Sequence, residues 1–247
     1  MLTFPDNHDV VLDADAGILA VEECVSQYIK LAKRHGADAK FNEQLVAWES
    51  RQNSIRITTQ RSTYNADHVV FAGGAWSAGI LSGILPELNV LRKVQCWYRV
   101  QSGFQQHPAE MPAFFFETST GAFYGMPSGS EQLKVARHSG GAHVLDPSNP
   151  NASATDDERQ SCTEFAMTHL RGIAGKPTRT SNCLYTLTPD GHFLIDRHPD
   201  NHRILFAAGF SGHGFKFASV VGRILADQVV GVDPGLAIRF LSAERFQ

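Results

Sequence analysis

Near its C-terminal end the chain sets a strand-forming run, residues 204–208, directly before Gly209-Phe210-Ser211-Gly212-His213-Gly214, and a helical pattern over residues 215–230 directly after it. A glycine-rich turn between a strand and a helix gathers backbone N–H groups at a helix start, where those donors and the helix dipole favour negative charge. Lys216, just inside the helix, adds a full positive charge. The turn is not the opening of a dinucleotide-binding βαβ unit, because Gly212-His213-Gly214 lacks the third glycine of G-x-G-x-x-G. About thirty residues remain after it, whereas such a unit needs a further strand and an acidic residue ~20 positions on. Asp233 lies near that distance, but no strand carries it. Nor is the turn the nucleophile elbow of an acyl hydrolase, since His213 stands where G-x-S-x-G needs its second glycine. On residue types alone it reads equally as an anion-binding helix entrance or as a tight connection with Lys216 on the surface.

The rest of the chain alternates helical and strand patterns. Val21, Cys24, Val25, Tyr28, Ile29 and Ala32 recur at helical spacing over residues 21–34, with Lys33, Arg34 and His35 in the last turn and Gly36 as the C-cap. Short strands are expected at 45–48, 54–59 and 68–72, the last running into Gly73-Gly74-Ala75-Trp76-Ser77. Further strands are expected at 91–100, 113–117, 122–126 and 132–138, then a loop over 139–155 and a helix over 156–171. The closing helix carries Val220, Val221, Ile224, Leu225 and Val229 on its expected buried stripe. This order predicts a mixed α+β or α/β chain with consecutive strands in its middle.

Composition excludes several functions. A chain of 247 residues, 43% hydrophobic, can bury one large core or two small ones. Its net charge of −3 gives no electrostatic case for nucleic acid or an anionic membrane. No apolar run approaches the ~20 residues that span a bilayer, and the N-terminal residues lack the pattern of a signal peptide. Four cysteines (Cys24, Cys96, Cys162 and Cys183) form no C-x-x-C pair. This argues against a zinc site or disulfide framework and for a reducing cytoplasm, with no metal expected.

Three segments, taken together, carry a family resemblance. The first is Asn182-Cys183-Leu184-Tyr185-Thr186, followed by Pro189-Asp190-Gly191-His192-Phe193-Leu194-Ile195-Asp196 and His198-Pro199. The second is Ala208-Gly209-Phe210-Ser211-Gly212-His213-Gly214-Phe215-Lys216, and the third is Val70-Phe71-Ala72-Gly73-Gly74-Ala75-Trp76. In this order they resemble the C-terminal portion of the monomeric sarcosine oxidase and N-methyltryptophan oxidase family. The resemblance implies a partial FAD-binding sheet domain and an antiparallel-sheet substrate domain. Their expected bounds are residues 1–85 and 181–247 for the first and 86–180 for the second.

The implied activity is oxidation of the C–N bond of a secondary amino acid by FAD, with oxygen reduced to hydrogen peroxide. FAD oxidation of glycine, a D-amino acid or a cyclic imino acid is the alternative chemistry, and a non-catalytic binding module is the alternative class. The resemblance makes Cys183 the covalent anchor of FAD; composition alone reads it as a buried thiol. It makes Lys134 the cation that promotes reaction with oxygen, His138 an active-site histidine on the same strand face, and Lys216 the clamp on the substrate carboxylate. Tyr124 and Tyr185 resemble aromatics around the substrate, with Phe123 a possible substitute for Tyr124; by residue type both tyrosines are ordinary strand aromatics. The amides of Ser211, Gly212, His213, Gly214 and Phe215 would stabilise charge on the reduced flavin. Val46, Ala72, Gly73, Gly74 and Trp76 resemble contacts to the nucleotide portion of FAD. Cys24, Cys96 and Cys162 read as packing residues, and Asp196 and His198 as structural.

Relatives in this family begin with a glycine-rich βαβ unit that binds the ADP part of FAD, and no residue before Leu19 matches it. Three explanations are expected to compete: a fragment or misassigned start, a half that pairs with a separate N-terminal FAD-binding polypeptide, or a degenerate relative.

Overall fold

A computed structural model describes residues 2–5, 7–101, 111–149, 154–173 and 175–246. Its elements in chain order are helix α1 (Val21–Arg34), strands β1 (Leu45–Ser50), β2 (Ile55–Thr59), β3 (Thr63–Ala66) and β4 (Val69–Phe71), and short helix α2 (Ser77–Ile80). Strands β5 (Asn89–Arg99), β6 (Phe114–Thr118), β7 (Gly121–Pro127), β8 (Gln132–Arg137) and β9 (Ala142–His143) follow. Helix α3 (Asp156–His169), strands β10 (Arg179–Leu187), β11 (Leu194–His198) and β12 (Asn201–Ala208), and helix α4 (Ala218–Val229) complete it. The fold is mixed α and β with antiparallel sheets. Strands β3, β9, β10 and β11 escaped the sequence reading, and residues 150–153 of the expected loop lie outside the described residues. Among the described residues no helix is long and apolar enough to cross a membrane.

The chain divides into two compact units, Met1–Ile18 with Val90–Leu184, and Leu19–Asn89 with Tyr185–Gln247. Residues 1–18, which the sequence reading set with the flanking block, thus group with the middle one.

The first unit is built on an antiparallel sheet of order β10-β5-β8-β7-β6, with β9 also pairing with β5. Alternation sends Val94, Cys96 and Tyr98 of β5, Leu133 and Val135 of β8, Phe123 of β7, and Phe114 and Phe116 of β6 to one face. There they form a core with Cys162, Phe165 and Ala166 of α3. Phe123 and Phe165 stack with centroids 4.4 Å apart. Each fully buried aromatic here contributes ~1.5–3 kcal/mol relative to exposure. Helix α3 starts with a capping box: Thr155 accepts from the Glu158 amide while the Glu158 carboxylate accepts from the Thr155 amide. Glu158 also takes Arg92, whose side chain is only 5% exposed, at 2.7 Å.

In the second unit β1-β2-β3 form one antiparallel sheet and β11-β12-β4 another. Within the latter, β12 and β4 run parallel, with Phe206 opposite Phe71. Helix α4 buries Val221, Ile224 and Leu225 against Ile195, Leu205 and Ala207. Val220, expected on that stripe, is 37% exposed, because the buried arc of this helix is narrower than its apolar one. Helix α1 has the expected bounds and apolar spacing, yet none of its residues is buried, Cys24 included.

Candidate active site

The candidate residues fall on both units, and each unit is described by itself. In the first, the sheet face opposite the core carries Gln95 and Trp97 from β5, Lys134 and Ala136 from β8, Tyr124 and Met126 from β7, and Phe115 from β6. Register fixes the neighbours: Trp97 lies opposite Lys134, and Tyr124 opposite Ala136 on one side and Phe115 on the other. The Lys134 Nζ sits 5.8 Å from the Trp97 ring and 5.9 Å from the Tyr124 ring, a cation between two aromatic faces. His138, just past β8, meets Phe115 edge-on at 5.5 Å and Tyr124 at 6.3 Å. Lys134, His138 and Tyr124 are therefore assembled as one cluster. Phe123, the substitute considered for Tyr124, is 1% exposed in the opposite core and does not reach it.

The half-buried Cys183 thiol on β10 is joined to this cluster electrostatically. Burial pushes it above the ordinary thiol range, while the positive charge of Lys134 pulls it back down. Arg179, four residues earlier on the same strand, stacks on Trp97 at 3.9 Å.

Several residues of this face were not legible as site residues. Gln95 donates to the Tyr124 hydroxyl at 3.4 Å, and an amide in an otherwise buried strand was the available signal. Lys93 is buried and donates to the carbonyls of His138, at 2.6 Å, and Gly140, fixing the segment that carries the histidine. Burial, followed by the Arg137 charge, lowers Lys93 to about 8.

In the second unit, parallel pairing makes two glycine turns leave neighbouring strands at their carboxyl ends, Ala72–Trp76 from β4 and Gly209–Gly214 from β12. That edge of a parallel sheet is where ligands of α/β proteins bind. Ala72, Gly74 and Trp76 are exposed while Ala75 anchors the turn. Gly74 has φ +54°, and a side chain at Gly73 would meet Ile80 at 2.7 Å. The buried Ser77 hydroxyl behind this turn has no hydrogen-bond partner.

In the other loop Ser211 adopts φ 49° and Gly212 φ 83°, so successive amides turn over a short arc. Ser211 donates its N–H to Thr186, and His213 to Phe210, at 2.9 and 3.1 Å. Of the amides expected to face a ligand, those of Gly212, Gly214 and Phe215 are thus the ones not used by these loop bonds. The Tyr185 ring is buried beneath Gly212 and props the loop. Lys216 is exposed in a 3-10 turn that continues into α4. Val46 is 62% exposed on edge strand β1. Asp196 accepts from the Ser242 hydroxyl and the Ala243 amide at 2.6 and 2.8 Å, and His198 accepts from the Asp200 amide, both as turn-ordering groups. Among the described residues no group of His, Cys, Asp and Glu side chains is arranged to hold a metal ion.

The family described as FAD dependent oxidoreductase matches residues 3–228. The monomeric sarcosine oxidase of Bacillus sp. (strain NS-129) is 35% identical over 90% of this chain and 58% of its own length. The N-methyl-L-tryptophan oxidase of Salmonella agona (strain SL483) is 31% identical over 98% of this chain and 64% of its own. Among solved structures, the open form of NikD, an amino acid oxidase of nikkomycin biosynthesis, superposes with a TM-score of 0.75 at 22% identity, over 90% of this chain and 59% of that one. The L-proline dehydrogenase of P. horikoshii gives 0.77 at 19% identity, over 91% of this chain and 59% of that one. The chain thus spans about three fifths of the length of the curated relatives it matches. It belongs to the FAD dependent oxidoreductase family.

Proposed function

We propose that this chain carries the substrate-binding and flavin-contacting part of an FAD-dependent amine oxidase acting on N-methyl amino acids and reducing oxygen to hydrogen peroxide. The observation that carries the reading is the Lys134 cluster: a cation held between Trp97 and Tyr124, with its charge felt at the Cys183 thiol. The residues present fit the ring end of FAD. In the Ser211–Phe215 loop the amides of Gly212, Gly214 and Phe215 are left over by the loop's own bonds, and at the turn taken for the nucleotide portion the buried Ser77 hydroxyl lacks a partner. Cys183 would hold the ring covalently through its sulfur; the amides of Gly212, Gly214 and Phe215 would lie against its pyrimidine end; Val46 and the Ala72–Trp76 turn would meet the nucleotide portion.

When bound, FAD supplies the two-electron oxidation of the substrate C–N bond. The residues of this chain do the rest. Lys216 binds and orients the substrate carboxylate. Tyr124, held by Gln95, and His138, held through Lys93, wall the amine and exclude water. Lys134 favours the negative charge that develops on oxygen. Tyr185 keeps the amide loop in place from below. The ADP portion of FAD requires a glycine-rich βαβ unit, which we take to come from a further FAD-binding polypeptide segment.

The test is direct. The purified chain is incubated with FAD, precipitated in acid and inspected for flavin absorbance in the pellet. Retained colour that disappears in Cys183→Ser supports the assignment, and flavin recovered wholly in the supernatant removes it.

A further inference from the structure

We propose that Arg179, held against the Trp97 indole, is a specificity-determining residue that takes a carboxylate carried at the end of the substrate remote from its amine; the inference rests on the amine-oxidase reading above. The strand order β10-β5-β8-β7 sets Arg179, Trp97, Lys134 and Tyr124 on four successive strands of one sheet. The Arg179 Cζ lies 3.9 Å from the Trp97 ring, and the Lys134 Nζ lies 5.8 Å from the same indole. Arg179 is thereby joined to the Lys134 cluster through a shared ring. Trp97 is buried and locked in place: its Nε1 donates to the Ser128 hydroxyl at 3.2 Å. Its carbonyl accepts from the Thr178 amide at 2.7 Å and the Thr178 hydroxyl at 3.0 Å. The residue just before Arg179 is therefore tied to the backbone of the ring that Arg179 rests on.

Arg179 stands out because its donors are unclaimed. Among the described residues its guanidinium has no hydrogen-bond acceptor and no carboxylate partner, and the residue is exposed. An arginine of this sheet that serves the fold is placed differently: Arg92 on β5 is nearly buried and paired with Glu158 at 2.7 Å. A guanidinium presents its N–H donors in a rigid planar fork, and contact with an aromatic ring orients that plane while leaving the donors at its edge free. This arrangement suits a carboxylate, which accepts two parallel bonds from such a fork. With Lys134 on the same indole, the strip carries two cations, which favours an anionic group there over a neutral one. From Tyr124 to Arg179 the strip crosses three strand spacings of ~4.8 Å. The anion must therefore sit on a chain that reaches from the amine past Lys134 towards β10. N-methylglycine has no such group and gains nothing from Arg179.

The experiment is calorimetric titration of the FAD-supplemented chain with N-methyl-L-α-aminoadipate, its neutral side-chain amide and N-methylglycine. Acid and amide have the same size and differ in the charge at the remote end. The acid is expected to bind about ten-fold tighter than the amide, the scale of one hydrogen-bonded charge partner. Arg179→Gln is expected to bring that ratio to about one, and Arg179→Glu to invert it. Both variants replace an exposed side chain that holds no other part of the fold. Equal binding of acid and amide overturns the inference. A ratio that neither variant moves also overturns it, since the preference then belongs to another cation. Binding of N-methylglycine without a preference for acid over amide overturns the inference alone. No binding of any of the three overturns the amine-oxidase reading with it.

Discussion

The ring of Tyr185 lies directly beneath Gly212, so close that a Cβ added to the glycine would stand 2.2 Å from the tyrosine Cε2. Gly212 is also at φ +83°, a conformation that L side chains rarely adopt. The two constraints act together. Gly212→Ala should cost ~1–3 kcal/mol through steric displacement of the ring and backbone strain, seen as a lower Tm. Pairing it with Tyr185→Leu should recover part of the loss; a double variant no more stable than Gly212→Ala would mean the ring is not what the methyl group meets.

Lys134 holds the Cys183 thiol lower than burial alone would leave it. Lys134→Met should therefore push that thiol further up. Alkylation of Cys183 by iodoacetamide, followed by mass spectrometry against pH, should shift its midpoint to higher pH in the variant. In the loaded enzyme the same substitution should slow reoxidation by oxygen by about 10²-fold, the usual scale for removing one preorganised charge partner. An unchanged alkylation profile would contradict the electrostatic link.

Asp190 is held well below the usual carboxylate range by the Arg245 guanidinium, 2.8 Å away. A carboxyl group whose folded value is depressed adds stability that is present above its unfolded value and lost as pH falls through the folded one. The pair is partly exposed, so about 1 kcal/mol is expected at neutral pH. Asp190→Asn should lower Tm at pH 7, and the gap from the parent chain should close steadily in acid below about pH 4.

Lys93 is also lowered, but by a cost to its charged form rather than a gain, and its window lies in the alkaline range. Burial lowers it from 10.5 to about 8, so between these values the unfolded chain binds more protons than the folded one and stability rises with pH. Denaturant midpoints measured from pH 7.5 to 10 should climb in the parent chain relative to Lys93→Met. A parallel course of the two would show that the ammonium carries no such cost.

Glu158 closes the α3 capping box and neutralises the nearly buried Arg92. Glu158→Ala should cost roughly 3 kcal/mol, since the nearly buried Arg92 loses its carboxylate and the cap is lost with it. Thr155→Ala, which removes the cap hydroxyl and its bond to the Glu158 carboxylate but leaves the ion pair, should cost about 1 kcal/mol. Similar losses in both would assign the stabilisation to the cap rather than to the ion pair.

Much of the framework was legible in the residue pattern, for stated physical reasons. Helix α1 and the strands of the central block follow apolar periods that survive in short windows. Strand β3 did not announce itself, because Thr63-Tyr64-Asn65-Ala66 has little apolar alternation and is mostly exposed. Strands β10 and β11 lay within segments whose motif drew the reading away from their alternation. Periodicity also reports which face of a helix is apolar, not that the face is covered, and α1 is the instance. In the candidate site, Lys134, His138 and Tyr124 are neighbours on one sheet face. Phe115 was missed because it sits between Phe114 and Phe116, where both sheet faces read as apolar, and Gln95 and Trp97 because no motif marks their strand.

The parallel pairing of β4 with β12 has a consequence for how the chain reaches its native state. Its two strands, Val69–Phe71 and Asn201–Ala208, are separated by the whole β5–β11 stretch, so their contact closes a very long loop and is slow to form. During synthesis β4 must wait, without that partner, until β12 has left the ribosome. For that interval the row of backbone groups on β4 that β12 later satisfies is open to any other extended segment, the exposure that chaperones guard against.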